Sequence, residues 1–316
     1  DCEKMSNVRK GYHSAVVNGR AKNFSHIMFE YEKAKLGGPL ELADYHNSVW
    51  ANPQLIGNEN KKKDFNILPY SRKQAPDDVQ FLILGADLGN NRLHTKVIGF
   101  ANKDRQYLID WDERNYGGRS NISEVKNIIQ GILLDSDYKT VSGRPLKIVA
   151  GAIDCNHYTS DILRICEEVR NLYPVRGSGT LKDKWKKVDA DPKNNWGFKN
   201  SPVKIYELSH TYQQDEFESR LSRSHEEGSC YNIPQNTWDS VKEHYNNMIL
   251  VYGPNGQAKG WEQRGRAYPV DWRDCTIYAI ALYNILALRN QLRSNLQAKE
   301  DKKVKKGFNH LIGRGF

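Results

Sequence analysis

Three carboxylates occupy comparable places in this sequence. Asp87 ends the apolar run Phe81-Leu82-Ile83-Leu84-Gly85-Ala86, Asp154 ends the run from Leu146 to Ile153, and Asp274 stands just before the apolar stretch Thr276 to Leu288. A bare carboxylate at the end of a buried strand is costly unless something positive meets it. A divalent cation would serve, and oxygen-only ligands suit hard ions such as Mg²⁺ or Mn²⁺ rather than zinc. Two such ions, roughly 3.5–4 Å apart, can activate a water and stabilise a leaving oxygen in phosphodiester hydrolysis. Each acid also has a plainer reading. Asp87 could shape a turn, Asp154 could be a turn residue before Cys155-Asn156-His157, and Asp274 could be a charge at a helix N-terminus. The joint placement favours the metal reading. Asp271 is an additional candidate ligand that also suits a helix cap. Asp110 and Asp112 are further candidates at the end of another apolar segment. His157 reads as a solvent-facing loop residue and His94 as a residue on a strand face.

The elements that must position these acids follow in order. Phe81 to Asp87 and Leu93 to Phe100 flank Gly89-Asn90-Asn91 and predict a hairpin. Gln106 to Trp111 predicts a third strand, and Asn121 to Leu134 a helix capped by Ser120 or Asn121. Leu146 to Asp154 predicts a fourth strand. Thr159 to Val169 predicts a helix whose stripe is Ile162, Leu163, Ile165, Cys166 and Val169. Further strands are expected at Tyr173 to Gly177 and Val203 to Leu208, and helices at Gln213 to Arg223 and Thr237 to Met248. A small hairpin is expected around Pro254-Asn255-Gly256, and a last helix, apolar nearly all round, from Thr276. Strand, strand, strand, helix, strand, helix is the order of the ribonuclease-H-like fold, an α/β mixed sheet flanked by helices. In that layout the first and fourth strands are neighbours and their ends approach the final helix.

The 316 residues suffice for one large domain or two ordinary ones, with 38% hydrophobic and 10% aromatic residues. The reading is a helical arm over residues 1–75, a ribonuclease-H-like α/β domain over 76–295 and a basic tail over 296–316. Within the arm, Ser25 to Lys35 and Leu40 to Trp50 predict helices, and Asn58 to Asp64 a charged connector. The arm reads as the remnant of a preceding domain, and the missing initiator Met suggests a fragment or a processed product. No apolar run approaches the roughly 20 residues of a membrane helix. The cysteines Cys2, Cys155, Cys166, Cys230 and Cys275 are scattered without a CxxC pair, which fits a reducing compartment better than a disulfide framework.

The net charge of +9 would attract nucleic acid. Thr180 to Asn200 reads as a basic loop in which Lys182, Lys184, Lys186 and Lys187, with Trp185 and nearby Arg176, are candidate contacts to a DNA backbone; a solvated loop is the alternative. No GxxxxGK[ST] sequence is present, so ATP hydrolysis is not expected of this chain. No Gly-x-Ser-x-Gly elbow or cysteine nucleophile motif occurs.

The same residues resemble the large terminase subunit of tailed phages, in the lambda-like (GpA) family, specifically its C-terminal nuclease portion. Gly11-Tyr12, the helix ending Phe29 to Ala34, and Tyr45 to Pro53 look like the segment "F-x-N-T-x-L-x-x-P" that ends the family's translocase domain. Ala75-Pro76 through Leu88 resembles "V-P … L-T-A-G-V-D-V-Q". Ala152 to Thr159 resembles "D-S-G-G-H-x-T", Arg176-Gly177 a K-G turn, and Asp274 to Ala279 "L-D-C-R-V-Y-A". The resemblance reaches to about residue 292. Asn156 departs from a family Gly, and Leu88-Gly89 from Val-Gln.

The resemblance implies a metal-dependent endonuclease that cuts concatemeric phage DNA during packaging, with Asp87, Asp154 and Asp274 as ligands of Mg²⁺ or Mn²⁺. It implies double-stranded DNA, the portal and the small terminase subunit as partners, and an ATPase motor that is truncated here or encoded separately. The implied location is the host cytoplasm, transiently at the procapsid portal vertex. Two rival readings remain: a resolvase or integrase of the same fold, and a non-catalytic packaging or portal-docking module.

Overall fold

The computed structural model describes residues 24–37, 45, 65–189, 202–252, 258–265 and 267–288. Most of the second arm helix, the connector 58–64, the second half of the basic loop and the tail lie outside these residues. The chain divides into two compact units, Asp1–Lys63 with Trp238–Arg273, and Asp64–Thr237 with Asp274–Phe316. The expected domain boundary at residue 75 falls inside the second unit.

In the first unit, helix α1 (Phe24–Gly37) carries Tyr31, whose ring lies 5.7 Å from that of Tyr45. Strands β12 (Met248–Tyr252) and β13 (Ala258–Gln263) form the expected antiparallel hairpin. Helix α5 (Asp239–Asn246) precedes it. Arg273, fully buried, donates to the Tyr245 carbonyl at 2.8 Å, which satisfies a guanidinium that would otherwise be costly to bury.

The second unit is built on a nine-stranded mixed sheet, ordered β1-β11-β5-β4-β3-β7-β8-β10-β9. Its centre is β3 (Val79–Leu88), antiparallel to β4 (Arg92–Ala101), which is antiparallel to β5 (Gln106–Asn115). Helix α2 (Ile122–Leu134) then carries the chain to β7 (Ile148–Asp154), parallel to β3. Helix α3 (Thr159–Glu168) leads to β8 (Leu172–Ser178), parallel to β7. The order β5-β4-β3-β7-β8 is the ribonuclease-H-like arrangement, with the first and fourth strands of the core side by side. The short pair β2 (Gln74–Ala75) and β6 (Lys139–Thr140) stands apart from this sheet.

Alternation along β3 divides its side chains between two faces. Leu82, Leu84, Ala86 and Leu88 join a core with Val125, Ile128 and Ile129 of α2 and Ile162, Leu163 and Cys166 of α3. Phe81, Gly85 and Asp87 face the other way. There the rings of Phe81 and Phe100 lie 6.2 and 4.3 Å from Tyr283 of α6 (Asp271–Ile285), so residues 274–285 of that helix cover this face.

Several elements differ from the sequence expectation. The stretch read as the basic loop contains β9 (Trp185–Asp189), the edge strand of the sheet, antiparallel to β10 (Lys204–Ser209). Lysines suit an edge because they discourage further strand pairing, which is why this strand looks like a loop in sequence. Between two helices expected from sequence lies β11 (Tyr231–Pro234), which pairs in parallel with β5 and with β1 (Asn66–Leu68). Helix α4 (His210–Leu221) starts earlier than expected, because Ser209 caps it by accepting from the Tyr212 N–H. Asn121 stands at the start of α2 without a capping side-chain bond.

Candidate active site

The register of the two parallel strands brings the first two acids together. Ala86 pairs with Ile153, so Asp87 and Asp154 follow as neighbours on adjacent strands, on the face that α6 covers. Strands in register lie roughly 4.8 Å apart, within reach of two carboxylates sharing one ligand.

Asp274 arrives from the helix. A Cβ built on Gly85 would fall 1.8 Å from the Cys275 carbonyl oxygen and 3.3 Å from the Ala279 Cβ. Only a residue without a side chain lets the first turns of α6 lie this close to β3. The contact places Cys275, the residue after Asp274, over the strand two residues from Asp87. Two polar links support it. The Cys275 thiol donates to the His94 carbonyl at 3.3 Å, and the fully buried Lys96 donates from Nζ to the Thr276 hydroxyl at 3.3 Å.

Asp154 is only 4% exposed. Its carboxylate accepts from the Asn156 backbone N–H at 3.3 Å and from the Asn156 side-chain amide at 3.0 Å. The departure from the family Gly at position 156 therefore supplies a donor to Asp154. Burial pushes the Asp154 carboxyl up to about 7, against the lowering pull of the Asn156 and Cys155 N–H groups and of the Tyr278 hydroxyl. Tyr278 lies one helical turn after Asp274. Burial first, then the charges of Asp154, Asp274 and Asp87, hold its phenol well above the ordinary range. One buried tyrosine thus feels the charge of all three acids.

The donor chemistry fits a hard divalent cation: three carboxylates, no thiolate, and one acid too buried to ionise readily without positive charge beside it. As the side chains stand, no group of three His, Cys, Asp or Glu residues among the described residues closes on a single ion position. The strand register and the Gly85 contact bring the backbones together; coordination then calls for side-chain rotation.

The other sequence candidates are placed as follows. Asp271 belongs to the first unit, where its carboxylate lies 4.0 Å from His244 Nδ1. That nitrogen accepts from the Trp272 N–H at 3.1 Å. Asp110 is structural rather than a ligand: Arg72 and the Tyr138 hydroxyl, the latter at 2.8 Å, hold it on the face opposite Asp87. Asp112 accepts from Arg114 at 2.7 Å. His157 is an exposed loop residue beside Tyr158.

The basic candidates lie at the β9 edge and form two groups. Arg176 at 3.2 Å and Lys186 at 2.7 Å both reach Glu207, whose carboxyl they hold below its usual range. Lys184 and Lys187 instead stack over Tyr212 and Tyr206, at 4.7 and 5.6 Å from the ring centres. Lys182 is exposed just before the strand. Tyr173, Tyr206 and Trp185 form an aromatic row across β8, β10 and β9, with ring centres 6.1 and 6.0 Å apart. Strand registers place this row on the same face as Asp154. Sequence reasoning missed the roles of Gly85, Asn156 and Tyr278. A glycine flanked by apolar residues just before a strand-ending acid was the available signal for Gly85.

The sheet order and the helix against it define a ribonuclease-H-like fold. A family model, the endonuclease domain of terminase large subunit gpA, matches residues 10–296, and the chain belongs to that family. Among solved structures, the large terminase nuclease of thermophilic phage G20c is 12% identical, with a TM-score of 0.37, over 70% of this chain and 93% of that one. The g2p large terminase nuclease domain of bacteriophage SPP1, solved with bound Mn, is 13% identical, with a TM-score of 0.33, over 64% and 85%. The large terminase of bacteriophage HK97 is 10% identical, with a TM-score of 0.32, over 84% of this chain and 51% of that one. No curated protein matches the chain.

Proposed function

We infer that this chain cuts concatemeric viral DNA during genome packaging as a divalent-metal-dependent endonuclease, with Asp87, Asp154 and Asp274 as the ligand set. The observation that supports the reading is the convergence of β3, β7 and α6: Asp87 and Asp154 directly follow paired residues of parallel strands, and Cys275, next to Asp274, packs on Gly85. Family membership supports the nuclease activity. Mg²⁺ or Mn²⁺ bound as a pair would supply an activated water and charge stabilisation at the leaving 3′ oxygen. The chain's own part is to hold the carboxylates on a rigid sheet and helix, to keep Asp154 fixed through Asn156, and to exclude water with α6.

Lys182, Lys184, Trp185, Lys186, Lys187 and Arg176 are assigned to the DNA backbone, with Trp185 and Lys187 on the face bearing the aromatic row and Arg176 and Lys186, once released from Glu207, reaching it from the other face of the sheet. Residues 1–63, ahead of β1, are assigned to an arm, and residues 296–316 to a basic tail. ATP hydrolysis is assigned to a motor outside these residues. The portal and small terminase subunit are the expected protein partners, and the host cytoplasm and portal vertex the expected location. Among the described residues no helix is long and apolar enough to cross a membrane.

The test is calorimetric titration with Mn²⁺ of the parent and of Asp87→Asn, paired with plasmid nicking. The parent should bind and nick, and the variant should lose both. Absence of metal heat in the parent would leave only the non-catalytic packaging module. Strong preference for a four-way junction over plasmid would favour the resolvase alternative.

A further inference from the structure

Beside the three acids, the same face carries two side chains, His94 and Glu113, that no part of the catalytic proposal uses. Asp87 on β3 pairs with His94 on β4, and His94 pairs with Glu113 on β5. Directly opposed side chains on one face sit roughly 4.5–5.5 Å apart at Cβ. His94 is 7% exposed, and its Nε2 lies 3.3 Å from Glu113 Oε2. A carboxylate only accepts, so Nε2 carries the proton in this contact. The other Glu113 oxygen is held by Arg92 at 2.5 Å. The His94 backbone is fixed as well, because its carbonyl accepts the Cys275 thiol of the helix that brings Asp274. A buried imidazole thus stands between a candidate metal ligand and a carboxylate that is itself anchored from behind.

We propose that the Glu113–His94 pair is a positioning device for Asp87: Glu113 fixes the imidazole, and the imidazole limits the directions in which the Asp87 carboxylate can turn. The inference rests on the metal-dependent reading above. The physical gain is preorganisation. A carboxylate that must rotate to meet an ion binds it more tightly when its neighbours leave few other orientations, and support of this kind typically changes metal affinity about 10–100-fold. His94 and Glu113 touch neither metal nor substrate in this scheme, and both are positioning residues.

The test uses His94→Leu and Glu113→Ala, with Glu113→Gln as the conservative variant that keeps an acceptor oxygen and Asp87→Asn as the control. Mn²⁺ affinity is measured by calorimetry, the Mn²⁺ dependence of plasmid nicking is measured at fixed DNA, and thermal melting reports the fold. His94→Leu and Glu113→Ala should weaken Mn²⁺ binding and raise the half-saturating concentration by about 10–100-fold. Nicking at saturating Mn²⁺ should stay near the parent rate, and Glu113→Gln should restore most of the affinity. Asp87→Asn should not recover at any concentration. A purely structural pair would lower the melting temperature and leave the metal dependence unchanged, which overturns the proposal. Loss of nicking at saturating metal, as deep as in Asp87→Asn, overturns it too, by assigning the pair to the chemistry itself. If His94→Leu does not fold, the half-buried Glu113 variants decide. A parent that gives no Mn²⁺ heat sinks the functional reading and this inference together, whereas a parent that binds alongside variants that bind equally well sinks only the inference.

Discussion

At the scale of single residues, Asp154 carries the sharpest consequence. Its carboxyl is raised from an ordinary 3.8 to about 7, and burial is the largest cause. Between about pH 4 and 7 the native state therefore holds a proton that the unfolded chain has lost. The unfolded state binds fewer protons, so the stability contribution of this group falls as pH rises through that window and is flat above it. Asp154→Asn removes the titration. In metal-free buffer the variant should melt higher than the parent at pH 7, with a gap of up to a few kcal/mol less about 1 kcal/mol for the disturbed Asn156 bond. The gap should shrink toward pH 4, and Mn²⁺ at pH 7 should raise the melting temperature of the parent while barely moving the variant. Melting curves from pH 4 to 8 check this, and a gap independent of pH would refute the burial account. The acid itself was legible in sequence, because an apolar run that stops at one carboxylate is unusual. Its tuning was not, because Asn156 and Tyr278 act through bonds that only the fold brings about.

At the scale of elements, the approach of α6 to β3 decides whether Asp274 belongs to the site. Gly85→Ala leaves every proposed ligand in place but sets a methyl 1.8 Å from the Cys275 carbonyl oxygen, and backbone, unlike a flexible side chain, cannot swing aside. The helix must lift. Stability should drop by about 1–3 kcal/mol or more, as for overpacked cores generally. Mn²⁺ binding and nicking should fall toward the level of Asp87→Asn. Gly131→Ala is the matched control: this glycine is exposed on α2 with nothing within 4 Å of the built Cβ, and alanine should stabilise by about 1 kcal/mol with nicking unchanged. Full activity in a folded Gly85→Ala protein would separate Asp274 from the site. The central elements were readable because their residues carry a strong signal: apolar runs bracket Gly89-Asn90-Asn91, and Ile162, Leu163, Ile165 and Cys166 mark one face of α3. The strands at the periphery were hidden for opposite reasons. Trp185-Lys186-Lys187-Val188-Asp189 has the charge of a loop because it is a sheet edge, and Tyr231-Asn232-Ile233-Pro234 is too short, with its proline, to announce itself.

At the scale of the whole molecule, a net charge of +9 draws the chain toward nucleic acid, but total charge does not say which surface meets it. The β9 edge separates lysines already neutralised within the protein from those laid on aromatic rings. Arg176 and Lys186 share Glu207, so reaching a phosphate means leaving a carboxylate, whereas Lys187 has its ammonium over Tyr206 on the face that leads to Asp154. Two substitutions should therefore move binding in opposite directions. Lys187→Ala should weaken duplex binding and lower the slope of log affinity against log salt by about 0.9, the share of one phosphate contact. Glu207→Gln should tighten binding and steepen the slope, because it frees two cations without adding any. Filter binding or anisotropy on a plasmid-derived duplex across 50–200 mM salt measures both. If Lys187→Ala keeps the parent slope while Glu207→Gln steepens it, the DNA path runs along the Arg176 side of the sheet instead. If neither moves, the β9 edge lies off the path, and the positive charge that holds DNA must be sought elsewhere on the chain.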